Sequence, residues 1–326
     1  MSLALDLRNV AANLKDYYLS EKDTFVENIA TIGFEAVPGS PVKSLYDYAL
    51  IRDVDGKSER PLSSMSSADP SQPGGAGTFD PKTYSLMDTR SVITQQAKID
   101  LRFTEVQINK LIDTYASRSR GGAYDKKKVP FEAEFFNQLA LDIKKYLRIA
   151  FFKGVKASGT TTNHIFHGVL KQIADDLLLG TTLLTPITVT ALTKNNIRAQ
   201  FNTMKAALPE ELRWSDQGVL LLSTAQYDFY VQAYQDEVGA NPYNTTYDKM
   251  ILEGSNLEIM VEPGLVTYNK PIVTTRNNLA MDVDFARLGT IDMEYVMTTR
   301  SINVVCDYFV GANFAKGSEI YLPTWA

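Results

Sequence analysis

Apolar positions spaced by three and four open the chain. Leu3, Leu7, Val10, Leu14 and Tyr17 share one helical face, and Phe25, Ile29 and Ile32 continue it past a polar break at Ser20 to Asp23, which predicts helix across residues 1–35. Val37-Pro38-Gly39-Ser40-Pro41 stops it, because proline and the residue before it resist helical backbone. At Ala97 the period drops to two: Ala97, Ile99, Leu101 and Phe103 alternate with polar residues, the pattern of a half-buried strand. Helical spacing returns over Glu105 to Ala116. The strongest element follows, Phe131 to Phe152, with Phe136, Leu139, Ile143, Leu147 and Ala150 or Phe151 on one stripe. Pro130 suits its first turn, Glu132 and Glu134 stand near its start, and Lys144, Lys145, Arg148 and Lys153 near its end, the order that complements the helix dipole. Gly154 is placed to end it. Such a helix would be roughly 33 Å long, and its stripe needs a broad sheet or several helices to cover it.

Gly168 to Leu179 fits helix and strand equally. Thr190 to Leu208 reads as helix, with Ile197, Phe201, Met204 and Leu208 in register before Pro209. Gly218 to Leu222 is a short apolar run, hence a buried strand, and Ser223 or Thr224 caps a helix over Ala225 to Val238. Strands are predicted at Leu257 to Val261 and Pro271 to Thr275. Ile291, Met293 and Tyr295 pair with the run Ile302, Val304, Cys306, Tyr308, Val310 as antiparallel strands that turn near Thr299 to Ser301. Asp53 to Arg60 is charged and turn-like. Ser63 to Thr78 has no period and holds little besides Ser, Pro, Gly and Ala, so it buries too little apolar surface to order itself. It is a surface loop, or an extension that orders on a neighbouring subunit.

A length of 326 residues allows two domains or one with a large insertion, and 44% apolar with 22% charged residues excludes wholesale disorder. Lys+Arg 33 against Asp+Glu 38 gives a net charge of -5, which argues against a protein that coats a polyphosphate. One cysteine excludes an intrachain disulfide and any Cys-rich zinc module. No signal-peptide core or membrane-length apolar run is seen, so the expectation is a soluble protein made inside the cell.

Motifs for catalysis are scarce. No nucleotide-binding glycine loop, zinc-protease motif or nucleophile elbow occurs. Asp53-Val54-Asp55-Gly56 lacks the remaining ligands of a calcium loop and reads as a turn. His164 and His167 have a helical metal spacing but no third ligand, and a structural or surface role is expected. Cys306, in an alternating strand, reads as core. Asp282 and Asp284 form an acidic pair open to general acid/base work without specifying it. Lys126 to Lys128 reads as a solvated basic loop.

The order of these parts resembles the Hong Kong 97-type major capsid proteins of tailed bacteriophages. In that family an N-terminal arm precedes an extended hairpin, the E-loop. A P-domain with a long spine helix follows, then an axial A-domain, and the chain returns to the P-domain sheet. The resemblance implies an α+β fold with an arm at 1–41, an E-loop at 42–96, a first P-domain part at 97–165 with the spine helix at 131–152, an A-domain at 166–288 and P-domain return strands at 289–326. Two passages carry it. One is Ala150-Phe151-Phe152-Lys153-Gly154 leading to Gly168-Val169-Leu170. The other is helix, apolar strand and second helix over Thr190 to Gly239, closing on Asp236-Glu237-Val238-Gly239. It also implies a non-enzymatic shell protein with no catalytic, cofactor or metal site. Its partners would be itself in hexamers and pentamers, portal, scaffolding and decoration proteins, and weakly held DNA. It would lie in the virion capsid after assembly in the bacterial cytoplasm, with no membrane involved. The implied contact with a neighbouring copy is the E-loop tip: Pro70, Pro73, Gly74, Gly75, Gly77 and Phe79. Some relatives join a Lys to an Asn between E-loop and P-domain. Lys57, Lys82, Asn303 and Asn313 are available here, but nothing around them supports that chemistry. The competing readings are an encapsulin-like nanocompartment shell and a soluble hydrolase using Asp282 and Asp284.

Overall fold

The opening stripe folds as α1, Leu7–Ala30, and the polar break at its centre is a kink at Glu21 (φ −116°, ψ 16°). The computed structural model describes residues 7–30, 42–66, 86–120, 130–180, 184–239, 250–268 and 270–325. Leu7, Ala11, Leu14, Tyr18, Phe25 and Ile29 are buried, so the inward face is turned slightly from the expected one, and Val10 and Tyr17 sit at its margin.

Ser44 and Asp47 form a capping box on the 3-10 turn that leads into β1, Ala49–Asp53. A hairpin of β2, Glu59–Ser66, and β3, Leu86–Ile93, follows. The expected charged turn at Asp53 to Arg60 is therefore confined to the residues between β1 and β2. Ser63 to Ser66, expected in an unordered tract, belong to β2, because a ladder rewards backbone pairing and does not require apolar burial. After β4, Gln95–Thr104, come α2, Glu105–Arg120, and α3, Phe131–Lys153, both where the spacing placed them. The ambiguous segment is helix α4, Val169–Leu179.

β5, Thr185–Val189, precedes α5, Ile197–Ala207. The helix expected from Thr190 starts late because Asn196 holds the preceding turn. Its Oδ1 accepts from Thr193 N–H at 2.7 Å and its Nδ2 donates to Ala191 O at 2.9 Å. The chain continues through α6, Glu210–Arg213, β6, Gly218–Leu222, and α7, Thr224–Val238, where Ser223 and Gln226 complete a capping box. β7, Glu258–Val261, β8, Ile272–Thr275, β9, Leu279–Val283, α8, Phe285–Leu288, β10, Asp292–Val296, β11, Ser301–Phe314, and β12, Tyr321–Trp325, finish it.

Among the described residues two five-stranded sheets result. In the first, β1 runs parallel to β9, β9 antiparallel to β11, and β10 and β4 both pair antiparallel with β11. The second has the order β5-β12-β8-β6-β7. Sheet membership crosses residue 288 in both directions: β9 belongs to the first sheet and β12 to the second. The first sheet, α1 and α3 enclose the larger core, which includes Phe136, Leu147, Phe151, Phe152, Met281 and Phe314. α5 and α7 cover the second sheet over Ile197, Phe201, Leu220, Leu222 and Tyr230.

α3 and α4 meet at two glycines. Gly154 ends α3 with ψ 134°, outside the left-handed region, so conformational freedom is not its reason for being there. Space is: a Cβ would lie 2.5 Å from Phe166 O, and one on Gly168 would lie 2.6 Å from Ala150 O. The bare backbones bond directly, Gly168 N–H to Gly154 O at 2.8 Å.

Candidate assembly surface

The hairpin β2–β3 is a sheet of its own, in register from Glu59 opposite Ile93 to Ser66 opposite Leu86. The body grips its root. Gly56 takes φ +68° in the turn before β2 and donates its N–H to Asp284 Oδ2 at 2.8 Å. Arg52 on β1 forks onto Asp282 on β9, Nε to Oδ1 at 2.7 Å and Nη2 to Oδ2 at 2.9 Å, and its Nη1 reaches Pro61 O at 3.2 Å. Pro61 stands opposite Ser91 at a non-hydrogen-bonded rung, where its missing N–H costs no ladder bond, and the outward-facing Ser91 carbonyl accepts Asn313 Nδ2 at 2.7 Å. Arg60 donates to Asp53 O, and Thr94 Oγ1 accepts from Ser58 N–H. Leu62 and Val92 bury with Ala280. On the Leu62 rung Arg90 reaches Asp176 on α4.

Asp282 and Asp284 are both fully buried, and both are engaged in this root. Burial raises the Asp282 carboxyl above its ordinary value, against the pull of Arg52. Asp284 caps α8 by accepting Arg287 N–H at 2.9 Å. Both members of the acidic pair are thus hydrogen-bonded at the hairpin root, Asp282 to Arg52 and Asp284 to Gly56 and Arg287. His164 and His167 do not share a helix. His164 ends a 3-10 turn beside Thr161, and His167 Nδ1 accepts Lys156 N–H at 3.2 Å. Gly168 follows, so the chain there belongs to the α3–α4 junction. Among the described residues no three His, Cys, Asp or Glu side chains are grouped to hold a metal ion, and no helix is long and apolar enough to cross a membrane. Cys306 is a core residue: burial pushes its thiol up to about 12, and it faces the carbonyls of Arg287 and Leu288.

The expected tip residues Pro70, Pro73, Gly74, Gly75, Gly77 and Phe79 lie outside the described residues, as do Lys82 and Lys126 to Lys128. Two further surface features of the body are described. Leu177, Leu178 and Leu179 end α4 in solvent, Leu178 being 86% exposed. A trough of about 1210 Å³ runs between α3, β4 and residues 156–165, with Ile99, Leu101, Leu139, Ile143 and Tyr146 among its lining residues.

One buried cluster was not foreseen. Arg148, expected near the end of α3 as a dipole-complementing cation, is 2% exposed and forks onto Glu262, Nε to Oε1 at 3.0 Å and Nη2 to Oε2 at 2.7 Å. Its Nη2 also donates to Lys43 O at 2.6 Å, Gly264 N–H donates to Glu262 Oε1 at 2.7 Å, and the Tyr48 hydroxyl donates to Glu262 Oε2. Burial works against the Arg148 charge, but Glu262 outweighs it and the pKa rises; burial together with Glu262 holds the Tyr48 hydroxyl well above the usual phenol range. The available signal was position. Arg148 lies beside Leu147 and four residues before Phe152, inside the apolar stripe.

No family model matches the sequence, and no curated protein matches it. Solved structures do match. A chain of the satellite phage P4 procapsid including size determination (Sid) protein superposes with a TM-score of 0.56 at 13% identity, over 84% of this chain and 84% of its own. A chain of Gordonia phage Cozz gives 0.54 at 8% identity over 85% and 84%. A chain from the capsid of an empty GTA particle gives 0.52 at 11% identity over 90% and 93%. The chain therefore has the fold of phage capsid chains, the Hong Kong 97-type α+β fold that the order of its elements implied.

Proposed function

We propose that this chain is a major capsid protein, a non-enzymatic subunit that self-assembles into an icosahedral shell around phage double-stranded DNA. The observation that carries the reading is the hairpin. It has only two strands among the described residues, and an isolated two-stranded ladder is marginal in water. Its root is nonetheless fixed to the body by a partly buried ion pair and several hydrogen bonds. A protein that anchors one end of a marginal hairpin so firmly has a use for the other end, and a sister copy supplies the missing surface.

On this reading the hairpin within residues 42–96 is the E-loop, with Pro70 to Phe79 against the neighbour, residues 1–41 are the arm and α3 is the spine of the P-domain. The second sheet with α5 and α7 forms the bulk of the A-domain. Hexamers and pentamers of the chain close the shell, which meets a portal and scaffolding or decoration proteins. A net charge of -5 suits weak, non-specific contact with packaged DNA.

The test is electron microscopy and sedimentation of the full-length chain. Closed particles, or rings of five and six copies, are expected. A 36.3 kDa monomer at every concentration overturns the reading.

A further inference from the structure

Arg90 lies on the outermost hairpin rung whose side chains are described, opposite Leu62. Paired residues in an antiparallel ladder project from the same face, so Leu62, Arg90 and, two residues on, Val92 all look toward the body. Leu62 and Val92 bury against Ala280. Arg90 joins two elements from distant parts of the chain. Its Nη2 donates to Asp176 Oδ2 on α4 at 2.6 Å, and its guanidinium lies 4.1 Å from the centre of the Phe314 ring at the end of β11. Arg90 and Asp176 are each 15% exposed, so water and salt screen the pair less than an open surface pair.

The two kinds of contact do different work. Apolar burial is non-directional and fixes no orientation by itself, and the root's other hydrogen bonds act nearer the body. A planar guanidinium laid on a ring and aimed at one carboxylate fixes an orientation. Asp176 points to the same role. With Asp175 it places two carboxylates in the closing turns of α4, where the helix dipole disfavours negative charge. Asp175 has Lys171 on its own helix as a partner; the cation of Asp176 comes from the hairpin.

We propose that Arg90 is a positioning residue that sets the direction in which the hairpin leaves the body, with Asp176 and Phe314 as its seat. Its use in assembly rests on the shell reading above; the orientation itself does not. The full-length chain and its R90A, R90K and D176N variants are compared by hydrogen exchange and by particle yield. R90A should speed exchange of the Leu86–Ile93 amides at least tenfold while α3 stays as protected as before, and should cut the yield of closed particles at least fivefold. R90K, which keeps a cation for Asp176, should fall between R90A and the parent in both. D176N alters α4 and not the hairpin, so it carries the same comparison if R90A does not fold. Unchanged hairpin exchange, or equal acceleration in hairpin and α3, overturns the proposal, and a normal particle yield from R90A with a loosened hairpin overturns its use in assembly. If the parent chain forms no particles the shell reading fails, and the exchange data still decide whether Arg90 orients the hairpin.

Discussion

Arg148 and Glu262 show what a buried charge does here. Neither is accessible to water, and their attraction has to offset a desolvation cost of several kcal/mol per ion. The pair joins α3, the 3-10 turn after β7 and the segment before β1, through Glu262 to Gly264 and Tyr48 and through Arg148 to Lys43. Removing one partner leaves the other charged and dry. E262A should therefore lower unfolding stability by about 3–5 kcal/mol, and R148M/E262M should lose less than either single change. Urea denaturation checks this, and a double variant weaker than E262A would show that the charge is not what matters. Cys306 gives a second prediction. Its folded thiol is raised to about 12, so the neutral form is favoured, and the stability this brings is present below the unfolded value and lost as pH rises through the folded one. At pH about 8.5, where a free thiol is half ionised, Cys306 should resist alkylation in the native chain and react only on unfolding. Labelling at the same rate with and without denaturant would contradict its burial.

Long regular elements were readable because one physical rule dominates each of them. α3 and β4 carry uninterrupted periods, α7 carries its own capping pair, and β6 is apolar throughout, so these fell where the spacing put them. The misreadings have local causes. α5 starts late because the Asn196 side chain satisfies the backbone that helix would otherwise use, and Ser63 to Ser66 form strand because a partner strand, invisible to local pattern, supplies the bonds. The root of the hairpin was the least readable part. Asp282 and Arg52 are 230 residues apart and meet only through the parallel pairing of β1 with β9. Gly154 was identified as the end of α3, while its close approach to Gly168 required the fold. G168A should therefore be harmful in a way that its exposed counterpart G180A is not. The added methyl at 168 meets three backbone atoms within 2.7 Å, whereas at 180 nothing lies within 4 Å and only the left-handed backbone (φ +62°) resists. A thermal midpoint for G168A well below that of G180A is expected, and the reverse order would place the α3–α4 junction elsewhere.

A shell sums many modest contacts, each too weak to hold two copies alone, through the high effective concentration of neighbours already in place. On the shell reading such an assembly separates folding from association: each core lies within one chain, and contact between copies is the role proposed for the hairpin tip. Deleting Ser66 to Thr78 tests that separation. The Arg52–Asp282, Arg90–Asp176 and Asn313–Ser91 contacts lie on the body side of this span. The deleted chain should keep the parent's circular dichroism and a thermal midpoint within about 4 °C, which corresponds to at most about 3 kcal/mol in a chain of this size. It should form no closed particles. Ionic strength separates this loss from simple charge repulsion. Copies carrying -5 each repel one another, and salt near 1 M shortens the screening length to about 3 Å. If repulsion were the only barrier, high salt would restore assembly to the deleted chain. If the hairpin tip supplies the contact, high salt should raise the particle yield of the parent and leave the deleted chain unassembled. Normal particles from the deletion at any salt concentration would mean that sister copies recognise one another through the body alone.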